Sequence, residues 1–165
     1  MRAEDSAFWR FSLRFYRRPE VADACIKLQD NAGIDVNLLF FIMFLAINER
    51  SLEAEEMRRI DLCIREWRTR VVQPLRAVRR DLKGGIRPVD AAAAEVLRSA
   101  IKRDELQAER VQQETLEREF PLLSTGARAA PRVAAAANIA AYAALVGALP
   151  VAPVNILLNA LADEF

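Results

Sequence analysis

The chain has 165 residues, 53% of them apolar, with 24 Lys and Arg against 23 Asp and Glu for a net charge of +1. That length suits one domain able to bury roughly 70% of its unfolded surface, and the apolar content excludes a disordered chain. Near-neutral charge gives no whole-chain argument for nucleic acid or membrane, and the absence of histidine excludes Ser-His-Asp and Cys-His mechanisms and removes the commonest metal ligand and general base.

Met1-Arg2-Ala3-Glu4-Asp5 opens the chain with acids and no apolar signal-peptide core, so the cytoplasm is the expected compartment. Helical signals follow to the end, with no convincing strand. Phe8, Phe11, Leu13, Phe15 and Tyr16 form an apolar set, with Arg10, Arg14 and Arg17 on one side of the same helix. Pro19 suits the first turn of a second helix, whose stripe is Val21, Ala24, Cys25 and Leu28 and which Gly33 ends. Asp35 is an N-cap for a third helix reaching Asn48. Leu38 to Ile47 is apolar without a break. A helix apolar all round is buried all round, and this one is short of the roughly 20 residues that span a bilayer, so it is predicted to be the central core helix.

Ser51 opens a long charged helix that runs to Gly84-Gly85, with Pro74 as an internal break or kink. Arg87-Pro88 signals a new start, and a helix is predicted from about Val89 to Phe120, alanine-rich first and charged later. Its stripe, Leu106, Ala108, Val111 and Leu116, is weak. After Pro121 the composition shifts: Arg128 and Arg132 are the only charges from Leu122 to Ala162. Val133 to Leu149 reads as an alanine-dominated helix interrupted by Asn138, broken by Pro150 and Pro153, with a last helix over Val154 to Ala162. The alanine-rich run reads as a buried or self-associating helix in preference to a membrane contact. The fold class is therefore all-α: a single-domain bundle of about six or seven helices over residues 1–165. It has a central apolar helix and a charged antiparallel hairpin across Gly84-Gly85. The tail, 121–165, packs on the body or on a partner.

The sharpest local feature is the stretch Met57 to Arg87, with ten Lys and Arg against three acids. Arg76, Arg79, Arg80 and Lys83 recur at three, four and seven residues and share a helical face. Such a face can bind oxyanions bidentately or contact a phosphate backbone. It can equally be solvated, or paired to Asp104, Glu105, Glu109, Glu114, Glu117 and Glu119 of the next helix. Nucleic acid is not expected, since no recognised module is present. Glu105 and Glu109 stand one turn apart, with Glu4, Asp5, Asp23, Asp30 and Asp35 elsewhere. A carboxylate-bridged metal site in a bundle wants Glu-x-x-His, which this chain does not contain, so no metal and no cofactor are expected. Cys25 and Cys63 read as two buried thiols, too few for a disulfide scaffold. Trp67 packs with Cys63, Ile64 and Val71 or serves as an interaction anchor, and Trp9 is expected in the core with Phe8 and Phe11.

Several separated motifs occur in one order: Phe8-Trp9 with Tyr16, Leu28-Gln29-Asp30, Gly33-Ile34-Asp35-Val36-Asn37-Leu38-Leu39-Phe40, Trp67, Val72-x-Pro74-Leu75-Arg76-x-x-Arg79-Arg80-x-Leu82-Lys83, and Glu105-Leu106-Gln107-Ala108-Glu109. On these the first three-quarters of the chain resembles a family of short proteobacterial proteins known only as a conserved domain of unknown function. The resemblance implies a helical cytoplasmic protein and transfers no activity. It singles out Asp35, Asn37, Arg76, Arg79, Arg80, Glu105 and Glu109 as polar positions of the shared pattern. Asp35 can cap a helix and Asn37 can bond a neighbouring turn. Arg76, Arg79 and Arg80 opposite Glu105 and Glu109 can form an interhelical ion-pair network.

The reading that follows is a non-catalytic interaction or regulatory module that uses the Arg face, with Lys83 and Trp67, against another protein or a second copy of the chain. One rival is a carrier or enzyme for a phosphorylated or lipidic molecule held between the Arg face and Glu105/Glu109. Another is peripheral membrane association through the alanine-rich tail.

Overall fold

The computed structural model describes residues 6–164, so the reading of Met1 to Asp5, with Glu4 and Asp5 among the candidate acids, lies outside the described residues. The fold is all-α. Helices α1 (Ala7–Tyr16), α2 (Pro19–Ala32) and α3 (Val36–Ile47) are followed by a two-residue strand, β1 (Arg50–Ser51). Then come α4 (Ala54–Trp67), a π-helical turn (Arg68–Val72) and α5 (Gln73–Asp81) without interruption, and α6 (Ala91–Glu119). Strand β2 (Ala127–Arg128), α7 (Pro131–Val146) and α8 (Val151–Ala162) complete the chain. Counting α4, the π turn and α5 as one rod gives seven helices among the described residues. The chain divides into two compact units, one of Met1–Asp61 with Gln113–Phe165 and one of Leu62–Gln112.

In the first unit the local signals act as their chemistry dictates. Pro19 sits in the first turn of α2, and Gly33 closes that helix in the left-handed conformation at φ 64°. The Asp35 carboxylate accepts from the N–H of Asn37 and of Leu38, capping α3. Leu38 to Ala46 are all buried, so α3 is the core helix its composition predicts. Phe8 and Phe15 of α1 meet Phe41 and Phe40 of α3 with ring centroids 5.1 and 5.3 Å apart. Trp9 is half-buried, not in the core with Phe8 and Phe11, because it falls off the stripe those residues share.

The alanine-rich tail packs on this unit: α7 lies against α3, and α8 against α2. Small side chains let backbones approach, and one polar residue fixes the crossing. Asn138 is fully buried; its amide donates to the carbonyls of Ile42 (2.9 Å) and Arg50 (3.0 Å), and its Oδ1 accepts from the N–H of Leu52 (2.7 Å). Arg14 and Arg18 tie the far end of α8 to the start of the chain. Arg14 pairs with Glu164 (2.6 Å), and Arg18 bonds Glu164 (2.9 Å), Asp163 (3.1 Å) and the carbonyl of Ala160 (2.8 Å).

Three expectations are corrected. Ser51 does not open a helix: β1 pairs antiparallel with β2, Arg50 opposite Arg128 and Ser51 opposite Ala127, and α4 starts at Ala54. The pairing depends on Gly126 at φ 69°, where a Cβ would lie 2.6 Å from the Ser51 carbonyl oxygen, so only glycine lets the backbones approach. Cys63 is exposed, since the buried stripe of α4 runs through Met57, Ile60 and Ile64 and the next-door position turns away from it. Leu106 is half-exposed, and the buried positions of α6 are Ala94, Glu105, Ala108, Gln112, Gln113 and Leu116, half of them polar. A polar set of that kind defeats a hydrophobic-stripe reading.

The two thiols should behave oppositely. Burial pushes Cys25 up to about 12, whereas Cys63 is open to solvent. Titration with a thiol-reactive disulfide at pH 8 is expected to label one cysteine quickly, identified by mass spectrometry as Cys63, with Cys25 reacting only in denaturant.

Candidate functional site

The second unit is a helical hairpin, and its site grows from two sequence patterns. After the π turn, α5 carries Arg76 and Arg79 three residues apart on one side, so both guanidinium groups reach the same stretch of α6. Pro74 sits in the first turn of α5, where its missing N–H disturbs least, so the predicted break is a continuous passage through a π turn. On α6, Glu105 and Glu109 are one turn apart and face them.

Arg76 Nε donates to Glu105 Oε1 at 2.8 Å, and its Nη2 to Glu109 Oε1 at 2.5 Å. Arg79 donates to Glu105 through Nε and, at 3.2 Å, through Nη2. Glu105 thus receives both arginines and is the hub. Its side chain is 7% exposed, against 13% for Arg76 and 25% for Arg79. Further along the hairpin the Trp67 indole N–H donates to the Ala108 carbonyl at 2.9 Å, leaving the ring about one-third exposed. Trp67 is therefore neither fully packed nor fully free.

Burial alone would raise the Glu105 carboxyl. Hydrogen bonds from Arg79 and Arg76, with their charge, outweigh burial and hold it below the ordinary glutamate value of about 4.5. The hydrogen bond to Glu105 correspondingly raises Arg79. A depressed carboxylate contributes stability that is whole above its unfolded pKa and is lost as pH falls through the folded one. The hairpin is accordingly expected to keep full stability from neutral pH down to about 4.5 and to loosen below it. Amide exchange of hairpin residues as a function of pH checks this, and Glu105→Gln should flatten that part of the profile.

Four of the sequence-predicted residues, Arg76, Arg79, Glu105 and Glu109, are therefore brought into one network, as the interhelical alternative has it. The oxygens of Glu105 already occupy the positions that an anion's would take against Arg76 and Arg79. Arg80 and Lys83 of the same set are exposed. Asp35 and Asn37 belong to the first unit: Asp35 is the α3 cap, and Asn37 Oδ1 accepts from the Gln113 amide at 2.6 Å. Asp23 and Asp30 are exposed on α2. Among the described residues no group of three or more Cys, Asp and Glu is placed to hold a metal ion, and no helix is long and apolar enough to cross a membrane.

Sequence reasoning missed two features. On the flank of the hairpin away from the ion pairs, Arg70, Val71, Pro74, Leu75 and Val78 line an open groove of about 320 Å³ with Ile101 of α6. The signal was present, as Val71, Pro74, Leu75 and Val78 recur at i, i+3, i+4 and i+7. In the first unit, Glu117 accepts from the Ser6 hydroxyl at 2.6 Å and from the N–H of Ala7 and Phe8 at 3.1 and 3.3 Å, so a distant carboxylate caps α1. No local pattern encodes that contact.

No curated protein and no solved structure gives a significant match to this chain. One family model does, over residues 7–116, two-thirds of the sequence, a span that contains the entire hairpin and its ion-pair network. The chain belongs to the family described as "Protein of unknown function (DUF2390)".

Proposed function

We propose that this protein is a non-catalytic interaction module whose contact surface is the hairpin of the second unit. The observation that carries the reading is α5: it is strongly amphipathic in sequence, yet none of its residues is buried. A helix that shows an apolar stripe to solvent is a helix that is waiting for a partner surface. The hairpin also exposes Trp67, Ile86, Val89, Val96, Leu97 and Leu106. Arg76 and Arg79 serve this surface from within, by fixing α5 against α6 through Glu105 and Glu109. Arg80, Lys83 and Trp67 stand at the exterior, where charge steers an approaching partner and an aromatic ring anchors it.

Site-specific photo-crosslinking in cells tests the reading. A photoreactive residue at Lys83 or Val96 is expected to trap one discrete protein, and the same residue at Asp23 of α2 is expected to trap none. Absence of a crosslink from the hairpin, or equal capture from α2, would overturn it.

A further inference from the structure

Resting on that reading of the hairpin as the contact surface, we infer that the groove lined by Val71, Pro74, Leu75, Val78 and Ile101 is the docking site for an acidic amphipathic helix of a partner protein. Three features lead there. The first is shape. A trough between two packed helices, lined from the π turn and α5 at i, i+3, i+4 and i+7, is the complement of a third helix carrying its own apolar side chains at that spacing.

The second is separation. With 3.6 residues per turn, Arg76 and Arg79 fall on one side of Leu75, and Pro74 and Val78 on the other. The ionic flank of the hairpin is closed by Glu105 and Glu109; the apolar flank is open, with Val78 46% exposed.

The third is charge. Residues 62–112 carry 12 Lys and Arg against 7 Asp and Glu, a net +5 within a chain of net +1. Arg70, the polar side chain in the groove wall, adds a cation at the trough itself. An incoming helix with Asp and Glu beside its apolar stripe gains from that field, and a helix with Lys and Arg there loses. A second copy pairing hairpin to hairpin would set +5 against +5, so a symmetric self-association through this face is the poorer fit. An anionic bilayer matches the charge but presents a plane to a trough.

The test pans the full chain against a phage-displayed library of helix-forming peptides randomised at their surface positions. Enriched peptides are expected to combine an i, i+3, i+7 apolar stripe with flanking Asp and Glu. A synthetic copy of the strongest should bind roughly tenfold more weakly to Val78→Asp and to Arg70→Glu, and weaken with added salt. Both side chains are exposed, so unchanged thermal melting is expected of both variants and confirms that the fold is intact. Enrichment of basic or neutral peptides, no enrichment, or binding indifferent to Val78→Asp overturns the assignment. So does binding to phosphatidylglycerol vesicles without peptide selection, which would give the face to a membrane. A discrete crosslinked partner at Lys83 together with failed peptide selection keeps the interaction reading and removes the groove. Val78-dependent selection of acidic peptides with no crosslink in cells does the reverse.

Discussion

Glu105→Gln is expected to destabilise the hairpin by about 3 kcal/mol, the cost of breaking a largely buried ion pair at its hub. Glutamine keeps the volume of the side chain and removes the charge, so the loss reports electrostatics and hydrogen bonding, not a cavity. Two guanidinium groups that now share one carboxylate would face each other without it. Arg79→Leu should cost less, because Arg76 still compensates Glu105. Urea unfolding with hydrogen exchange at α5 and α6 measures both. Glu109→Gln is the informative comparison: Glu105 takes hydrogen bonds from both Arg76 and Arg79, whereas Glu109 takes one from Arg76 and acts on Arg79 through its charge, so its effect should be below that of Glu105→Gln. Equal effects at the two glutamates would contradict the hub arrangement.

Asn138→Leu is expected to be comparably damaging in the first unit, at about 3–5 kcal/mol. Leucine matches the volume, but the N–H of Leu52 and the carbonyl of Arg50 lose their partner inside the protein, at about 1–3 kcal/mol for each buried group left unsatisfied. Asn138→Asp should be at least as severe, since it exchanges two amide donors for carboxylate oxygens against the carbonyls of Ile42 and Arg50. Thermal unfolding of the three proteins, read by circular dichroism, checks the order wild type, Leu, Asp.

These two residues mark where the sequence was legible and where it was not. Glu105 could be paired with Arg76 and Arg79 in advance, since periodicity alone put each set on one face of a helix and a short turn brings the helices together. Pro19, Gly33 and Asp35 were equally legible, because each acts on backbone groups within a few residues of itself. So was α3, whose run of apolar side chains admits only burial. Asn138 read as an interruption of an alanine helix, for its partners are about 90 residues away. Glu117 read as one of the acids available to the basic face, for its partner Ser6 is 111 residues away. The β1–β2 pair is too short for any alternation to announce. The exposed groove was missed for a different reason. Its apolar stripe was visible, but a stripe states only that a surface is to be covered, not whether the chain itself covers it.

The cap that Glu117 places on α1 has a further consequence for how the protein is made. A ribosome delivers α1, α2 and the apolar α3 first, and the groups that complete them come later: Gln113 for Asn37, Glu117 for the start of α1, and α7 for the open side of α3. At roughly 5–20 residues per second, α3 waits several seconds for α7 to be synthesised. Through that interval the most apolar segment of the chain is in solution without its cover. Holding chaperones should therefore engage nascent chains stalled shortly after α3 and release those that extend past α7.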